Sequence, residues 1–272
     1  MPVSVSEKRA TFRRLHDSGC FIIPNPFDAG SAVLLQSLGF KALASSSAGM
    51  AWSKARSDNK VERADVLAHL ADLVSATDIP VNADYENGFA DAPDGVAESV
   101  TLAVGTGVAG VSIEDSTGDK ANPLYDFDLA VARIKAARTA LDKTQSDVLL
   151  TARSEGFFVG RPDIDETVKR IKAYAAAGAD VLYAPGIKDE AQITAIVQAA
   201  GGKPVNLLTM GHTLEQAARL GVRRVSIGGH LARAAYGEVM RVAKEMAEAG
   251  TFTGFARGMP GAELNGLFAG KK

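Results

Sequence analysis

Eight short apolar runs, each followed by a stretch of helical period, constrain this chain more than any other feature. The runs are Cys20 to Ile23, Lys41 to Ala44, Pro80 to Ala83, Gly110 to Ile113, Val148 to Ala152, Asp180 to Tyr183, Val205 to Leu208 and Arg224 to Ile227. The helical stretches are Ala29 to Leu38, Arg63 to Ser75, Asp94 to Thr106, Phe127 to Leu141, Ile164 to Ala177, Glu190 to Ala199, Leu214 to Leu220 and Leu231 to Ala249. An opening helix from Ser6 to His16, capped by Ser4 or Ser6, precedes them. Strands buried on both faces read as unbroken apolar runs, and these do, so the pattern is that of a parallel sheet covered by helices.

A second periodicity favours closure of that sheet. Gly39, Gly107, Gly178 and Gly221 each fall just past a helix and just before a strand, where glycine relieves the left-handed C-cap. The rival, an open doubly wound sheet, usually carries a glycine-rich turn after its first strand. Here that strand runs into Pro24-Asn25-Pro26-Phe27-Asp28, which has too few free amides to wrap a pyrophosphate. The reading is an α/β protein, a (β/α)8 TIM barrel with an N-terminal helix, spanning residues 1–272 as one domain. Its glycine-rich tail, 250–272, is expected to pack loosely or on a neighbouring subunit.

The formal net charge of −2, with both signs interspersed, offers no electrostatic footprint for nucleic acid or an anionic membrane. The one cysteine, Cys20, forms no internal disulfide, no signal-peptide pattern is visible, and the apolar runs are too short to span a bilayer. A cytoplasmic location and no membrane partner are the expectation.

Barrel enzymes carry their sites at the C-terminal ends of the strands. There the chain places Ser45, Ser46 and Ser47, then Asp84, Glu114 with Asp115, Arg153 with Glu155, Thr209, and Gly228-Gly229. Carboxylates converging from neighbouring strands repel unless a cation sits among them, and an all-oxygen set suits Mg2+ or Mn2+. The alternative is that Asp84 or Glu114 caps a helix or pairs with Arg153. Arg153 offers a planar fork for a carboxylate or phosphonate, or a structural ion pair with Glu155 or Glu114. The serine loop has amides and hydroxyls suited to a substrate carboxylate, and Gly228-Gly229 either cradles an anion or is a tight turn. No strand ends in a lysine, as a Schiff-base aldolase requires, and no histidine pair has zinc-ligand spacing, so both chemistries are set aside.

These pieces resemble the isocitrate lyase and phosphoenolpyruvate mutase superfamily over nearly the whole chain. The resemblance is carried by Pro24 to Ala29, Gly39-Phe40-Lys41-Ala42, Ser45-Ser46-Ser47, Asp58, Asn82-Ala83-Asp84, the run Gly107 to Asp115, and Ala152 to Phe157. It implies a magnesium-dependent barrel, commonly a homotetramer built as a dimer of dimers with a swapped last helix, acting on small 2-oxo or 2-hydroxy carboxylates through an enolate. By position, Asp84 and Glu114, with Asn82, would hold the metal or its waters. Asp58 would support them, Ser46 and Ser47 would bind the substrate carboxylate, and Arg153 would clamp the reacting anion. Ser45, Glu155 and Thr209 complete the candidate substrate-binding set.

Three departures shape the expected activity. The family usually has two aspartates around the alanine where this chain has Asn82-Ala83-Asp84, which removes one charge. The isocitrate-cleaving lyases carry a cysteine in the loop after the fourth strand, and Asp119 to Leu124 has none. Lys120, Asn122 and Leu124 instead match the spacing of the gating loop of phosphoenolpyruvate mutase, although Ala184-Pro185 stands where the mutase has a histidine. The expectation is a carbon–carbon lyase or decarboxylase of a small 2-oxo or 2-hydroxy (di)carboxylate, with Lys120, Asn122, Asp58 and Arg153 as catalytic candidates. Carbon–phosphorus chemistry on phosphonopyruvate is the rival, and a non-catalytic metabolite-binding barrel the third reading.

Overall fold

The computed structural model describes residues 3–209 and 211–269. All eight expected strands are present and parallel: β1 (Phe21–Ile22), β2 (Leu43–Ala44), β3 (Val81–Asp84), β4 (Gly110–Glu114), β5 (Leu149–Arg153), β6 (Val181–Tyr183), β7 (Val205–Leu208) and β8 (Arg224–Ser226). Their order is β1-β8-β7-β6-β5-β4-β3-β2, a curled sheet that alternates with helices as a (β/α)8 barrel. The two end strands meet through one backbone bond, Ala44 N to Pro24 O at 3.0 Å. Asn25 reinforces that seam. Its Nδ2 donates to Ser45 O at 3.0 Å, and its Oδ1 accepts from Ile227 N at 3.0 Å and Gly228 N at 2.9 Å, tying the ends of β1, β2 and β8 together.

The opening helix α1 (Val5–Leu15) starts at a capping box in which Ser4, not Ser6, is the cap: its Oγ accepts Glu7 N at 3.2 Å, while Ser4 N donates to Glu7 Oε2 at 2.9 Å. This helix plugs the N-terminal end of the barrel. Phe12 is fully buried among Ile23, Ala42, Ala44, Ala109 and Leu149, worth about 1.5–3 kcal/mol for a side chain of this kind. Gly110 makes room for it. A Cβ there would lie 2.7 Å from the Phe12 ring and 2.4 Å from Asn82 Oδ1.

The remaining helices are α2 (Ala29–Ser37), α3 (Ser47–Ser53), α4 (Arg63–Ala76), α5 (Pro93–Gly105), α6 (Phe127–Thr144), α7 (Ile164–Ala176), α8 (Glu190–Ala199), α9 (Leu214–Arg219), α10 (His230–Ala249) and α11 (Gly261–Phe268). The four glycines of the αβ turns have φ between 86° and 102°, the left-handed conformation their placement requires. Two elements differ from the sequence expectation. The serine-rich segment after β2 is not only a loop: Ser46 caps α3, which buries Met50 and Ala51 but is too short to show a helical period. The tail carries local structure as far as 269, and residues 270–272 lie outside the described part. A 3-10 turn at Thr253–Arg257 takes its amides to Glu245, from Thr253 N at 2.6 Å and Gly254 N at 2.9 Å, and α11 lies against α2 with Phe268 facing Gly30. Among the described residues no helix is long and apolar enough to cross a membrane.

Candidate active site

A cavity of about 440 Å³ opens at the C-terminal ends of the strands. Parallel pairing sets Glu114 beside Arg153 and Arg153 beside Tyr183, so β4, β5 and β6 deliver three long polar side chains at one level. Arg153 is their centre. Its Nη1 bonds Asp84 Oδ1 at 2.5 Å, its Nη2 lies 3.1 Å from Glu114 Oε2, and its Nε donates to Glu155 Oε1 at 2.9 Å. The guanidinium also lies over the Tyr183 ring, 5.2 Å from its centroid.

The cation that keeps these carboxylates together is therefore a side chain. Among the described residues no group of three or more His, Cys, Asp or Glu is arranged to hold a metal ion by itself. One oxygen lining the cavity below this level, beside Gly110, is nevertheless unsatisfied: Asn82 Oδ1 is buried without a hydrogen-bond partner, while Asn82 Nδ2 donates only to the neighbouring Ala83 O.

Burial governs the protonation of the cluster. It pulls Arg153 down, but Glu155, Glu114 and Asp84 outweigh it and hold the guanidinium well above its ordinary value. Glu114 is pushed well above the carboxylate range by burial, against the attraction of Arg153 and with the help of Glu155, Asp84 and Glu86. Glu155 rises to about 7, again chiefly through burial. Burial thus favours the protonated forms of Glu114 and Glu155, which lowers the negative charge facing Arg153.

The serines are placed by backbone duties. Asp84 N donates to Ser45 Oγ at 2.8 Å, Ser47 N donates to Asp84 Oδ2 at 2.9 Å, and Ser46 Oγ accepts from Gly49 N at 3.1 Å as the cap of α3. All three line the cavity, as does Asp58. Burial and the nearby Asp84 raise the Asp58 carboxyl, and a hydrogen bond from Ser47 opposes them.

Three expected residues are not brought to this cavity. Thr209 ends β7 in a turn, where its Oγ1 accepts Gly211 N and His212 N, both at 3.1 Å, and Leu208 and Asn206 line the wall in its place. Lys120 and Asn122 are exposed on a small hairpin closed by the Ser116–Leu124 bridge, and Asn122 Nδ2 reaches only Asp119 at 3.3 Å. Asp115, adjacent to Glu114 in sequence, faces the other way: it accepts Tyr174 Oη at 2.6 Å, Arg170 Nη1 at 3.0 Å and Glu155 N at 2.8 Å. Arg170 also holds Tyr125 O at 3.0 Å, which pins the two ends of the hairpin to one buried guanidinium.

Sequence reasoning overlooked Glu86, Tyr183, Arg224 and Asn25. Glu86 sits in the left-handed region at φ 46°, a conformation uncommon for a non-glycine residue, and burial with its acidic neighbours Asp84 and Asp58 lifts it to about 8. The unit Asp84-Tyr85-Glu86-Asn87-Gly88, acidic residues running into a turn directly past a strand, was a signal for it.

Known proteins bear on this geometry. The family model for phosphoenolpyruvate phosphomutase matches residues 12–247. A protein of Burkholderia cenocepacia J2315, provisionally assigned as a lyase/mutase, is 49% identical and superposes with a TM-score of 0.95 over 97% of each chain. A phosphonopyruvate hydrolase crystallised with oxalate and Mg2+ is 26% identical with a TM-score of 0.86, over 97% of this chain and 95% of that one. The oxaloacetate decarboxylase of Ectopseudomonas mendocina is 32% identical over 239 residues, 83% of this chain and 79% of its own. The chain belongs to the phosphoenolpyruvate phosphomutase family, and so to the isocitrate lyase and phosphoenolpyruvate mutase superfamily of lyases and mutases.

Proposed function

We propose that this enzyme is a Mg2+- or Mn2+-dependent lyase or decarboxylase that cleaves a carbon–carbon bond in a small 2-oxo or 2-hydroxy dicarboxylate and passes through an enolate. The observation that carries this reading is the Arg153 fork, held at the end of β5 by Asp84, Glu114 and Glu155 in the cavity at the mouth of the barrel. A rigid buried guanidinium fixes a carboxylate or an enolate oxygen bidentately and stabilises charge that develops there. Glu155, lifted to about 7 by burial, can give or take a proton near neutral pH at the atoms facing Arg153, and burial shifts Glu114 in the same direction.

The donor set beside Arg153 is all oxygen, and Asn82 Oδ1 is a buried oxygen with no partner, which fits a hard divalent cation held partly through water. Asn82, Asp84 and Glu114 would hold it, with Asp58 behind them. Bound there, the ion supplies Lewis-acid polarisation of the substrate's oxygens. The phosphonopyruvate hydrolase that resembles this chain carries Mg2+ with oxalate, which supports the same ligand class.

Carbon–phosphorus cleavage of phosphonopyruvate is the second reading, supported by the spacing of Lys120, Asn122 and Leu124 and by the hydrolase likeness. Carbon–carbon chemistry is preferred because the 32% identical curated relative is an oxaloacetate decarboxylase, and because apolar Pro185 lines the cavity after β6. A homotetramer, with residues 250–272 packed on a neighbouring subunit, is part of the same reading, as is a cytoplasmic location. Val239, Met240, Phe252 and Phe255 lie along α10 and the tail, each more than half exposed, as an uncovered subunit face would be.

The test is a panel of oxaloacetate, alkylmalates, methylisocitrate and phosphonopyruvate with Mg2+, 2-oxo acid products being followed over time. Turnover of a dicarboxylate that disappears with a chelator and returns with Mg2+ supports the reading. Turnover of phosphonopyruvate alone selects the rival, and no Mg2+-dependent turnover of any of these acids removes both.

A further inference from the structure

Tyr183 and Arg153 are partners in the parallel register of β6 and β5, and both line the cavity. Their side chains therefore enter it at one level. The phenol reaches past β7 to a hydrogen bond with Ser226 of β8, which sets its oxygen inside the lumen.

Below that oxygen lies a chain of donors whose direction is fixed. Arg224 Nε donates to Asn206 Oδ1 at 2.8 Å, and Asn206 Nδ2 donates to Ser226 Oγ at 2.9 Å. A guanidinium can only donate, so the first bond settles the orientation of the Asn206 amide, and Ser226 Oγ meets a donor from below. Ser226 and Tyr183 together hold two hydroxyl hydrogens, and the bond between them uses one. The incoming Asn206 bond polarises Ser226 to give its hydrogen upward, which leaves the phenolic hydrogen. Among the described residues no acceptor is bonded to it. Burial, the largest influence on Tyr183, keeps the phenol protonated against the pull of Arg153.

The geometry places this spare donor within reach of an anion on Arg153. The Arg153 guanidinium carbon is 5.2 Å from the Tyr183 ring centroid, and half a phenol adds about 2.8 Å, so the hydroxyl oxygen lies within about 8 Å of it. One carboxylate group, with a hydrogen bond of about 2.9 Å to each donor, spans up to about 9 Å between such a carbon and such an oxygen. A shorter separation is bridged by a single oxygen.

We propose that the Tyr183 hydroxyl donates a hydrogen bond to the carboxylate or enolate oxygen that Arg153 holds, with Ser226, Asn206 and Arg224 as the positioning residues behind it. The identity of the substrate rests on the lyase reading, whereas the donor is a statement about anion binding. Were Tyr183 only a platform for the guanidinium, its ring would suffice and phenylalanine would serve as well.

The experiment is calorimetric titration of the Mg2+-supplemented full chain with oxalate, the small dianion found in the crystal of the related phosphonopyruvate hydrolase. It is run on the unaltered chain, on Y183F and on S226A, with circular dichroism as the check on folding. Y183F is expected to weaken oxalate by about 10-fold or more, the loss of a hydrogen bond to a charged group. S226A, which removes the link behind the phenol, is expected to weaken it by about 2- to 4-fold. A folded Y183F with unchanged affinity overturns the proposal, and so does an unaltered chain that binds no oxalate. If Y183F fails to fold, S226A decides, and unchanged affinity there overturns it equally. Oxalate binding that depends on Tyr183 stands even if no acid of the substrate panel is turned over, so failure of the donor and failure of the lyase reading are separate outcomes.

Discussion

Arg153 and Asp84, 69 residues apart in the chain, meet at 2.5 Å in the mouth of the barrel, and Glu114 and Glu155 complete the ring. Removing the guanidinium leaves three carboxylates facing one another out of water. Arg153→Gln is expected to lower kcat/KM by about 100-fold or more, and stability at pH 7 by about 3–5 kcal/mol. Urea unfolding at pH 7 and near pH 5 checks the cause, because protonation of Glu114 and Glu155 shrinks the cost at the lower pH. An equal cost at both pH values argues against this origin.

Glu86 is raised from 4.5 to about 8 by burial and by its acidic neighbours Asp84 and Asp58. The folded state therefore holds a proton that the unfolded chain has released. Its contribution is complete below about pH 4.5 and is lost as pH rises through about 8, at roughly 1.4 kcal/mol for each unit. Urea midpoints taken across that window with a chelator present should fall with pH, and Glu86→Gln should flatten the slope.

His16 predicts the opposite limb. Burial, aided by the Arg224 charge, holds it neutral down to about 3, against 6.5 when unfolded. Its contribution is complete above pH 6.5 and is lost as pH falls toward 3. His16→Gln should make acid unfolding, followed by circular dichroism, less steep between those values.

At Gly110 the smallest possible addition is expected to be costly. Gly110→Ala drives a methyl group into Phe12 and Asn82, and both are hemmed in by the barrel wall. The expected loss is about 1–3 kcal/mol by urea unfolding. Phe12→Leu in the same chain should recover part of it.

Lys120 and Asn122 are exposed on the hairpin, so their truncation leaves the fold intact. If the hairpin closes over the cavity during turnover, Lys120→Ala and Asn122→Ala lower kcat/KM by about 10-fold or more, with an unchanged thermal midpoint. Wild-type kinetics in both variants would remove these residues from the catalytic set.

The barrel was legible because burial on two faces writes itself into contiguous apolar runs, and because Gly39, Gly107, Gly178 and Gly221 mark the turns between layers. Strand ends located Arg153, Asp84, Glu114 and Glu155 for the same reason. Direction was not legible. Glu114 and Asp115 are adjacent, yet successive side chains on a strand point to opposite faces, and only the first enters the cavity. Arg224 was hidden inside an apolar run, since a polar residue facing a lumen looks no different in sequence from one at a strand edge. The partner of the carboxylates stood open between a metal and Arg153, since both satisfy the same repulsion, and the coordinates place the guanidinium among them.

The seam between β1 and β2 gives the barrel the mechanics of a split ring. The other neighbouring strands are laced by paired registers, whereas these two share one backbone bond and the Asn25 amide. A hoop joined most sparsely at one stave is softest there. The tethers at that stave lead directly to Ser45 on one side and to the Ile227-Gly228 turn on the other. The most sparsely bonded part of the wall thus adjoins the serine edge of the mouth.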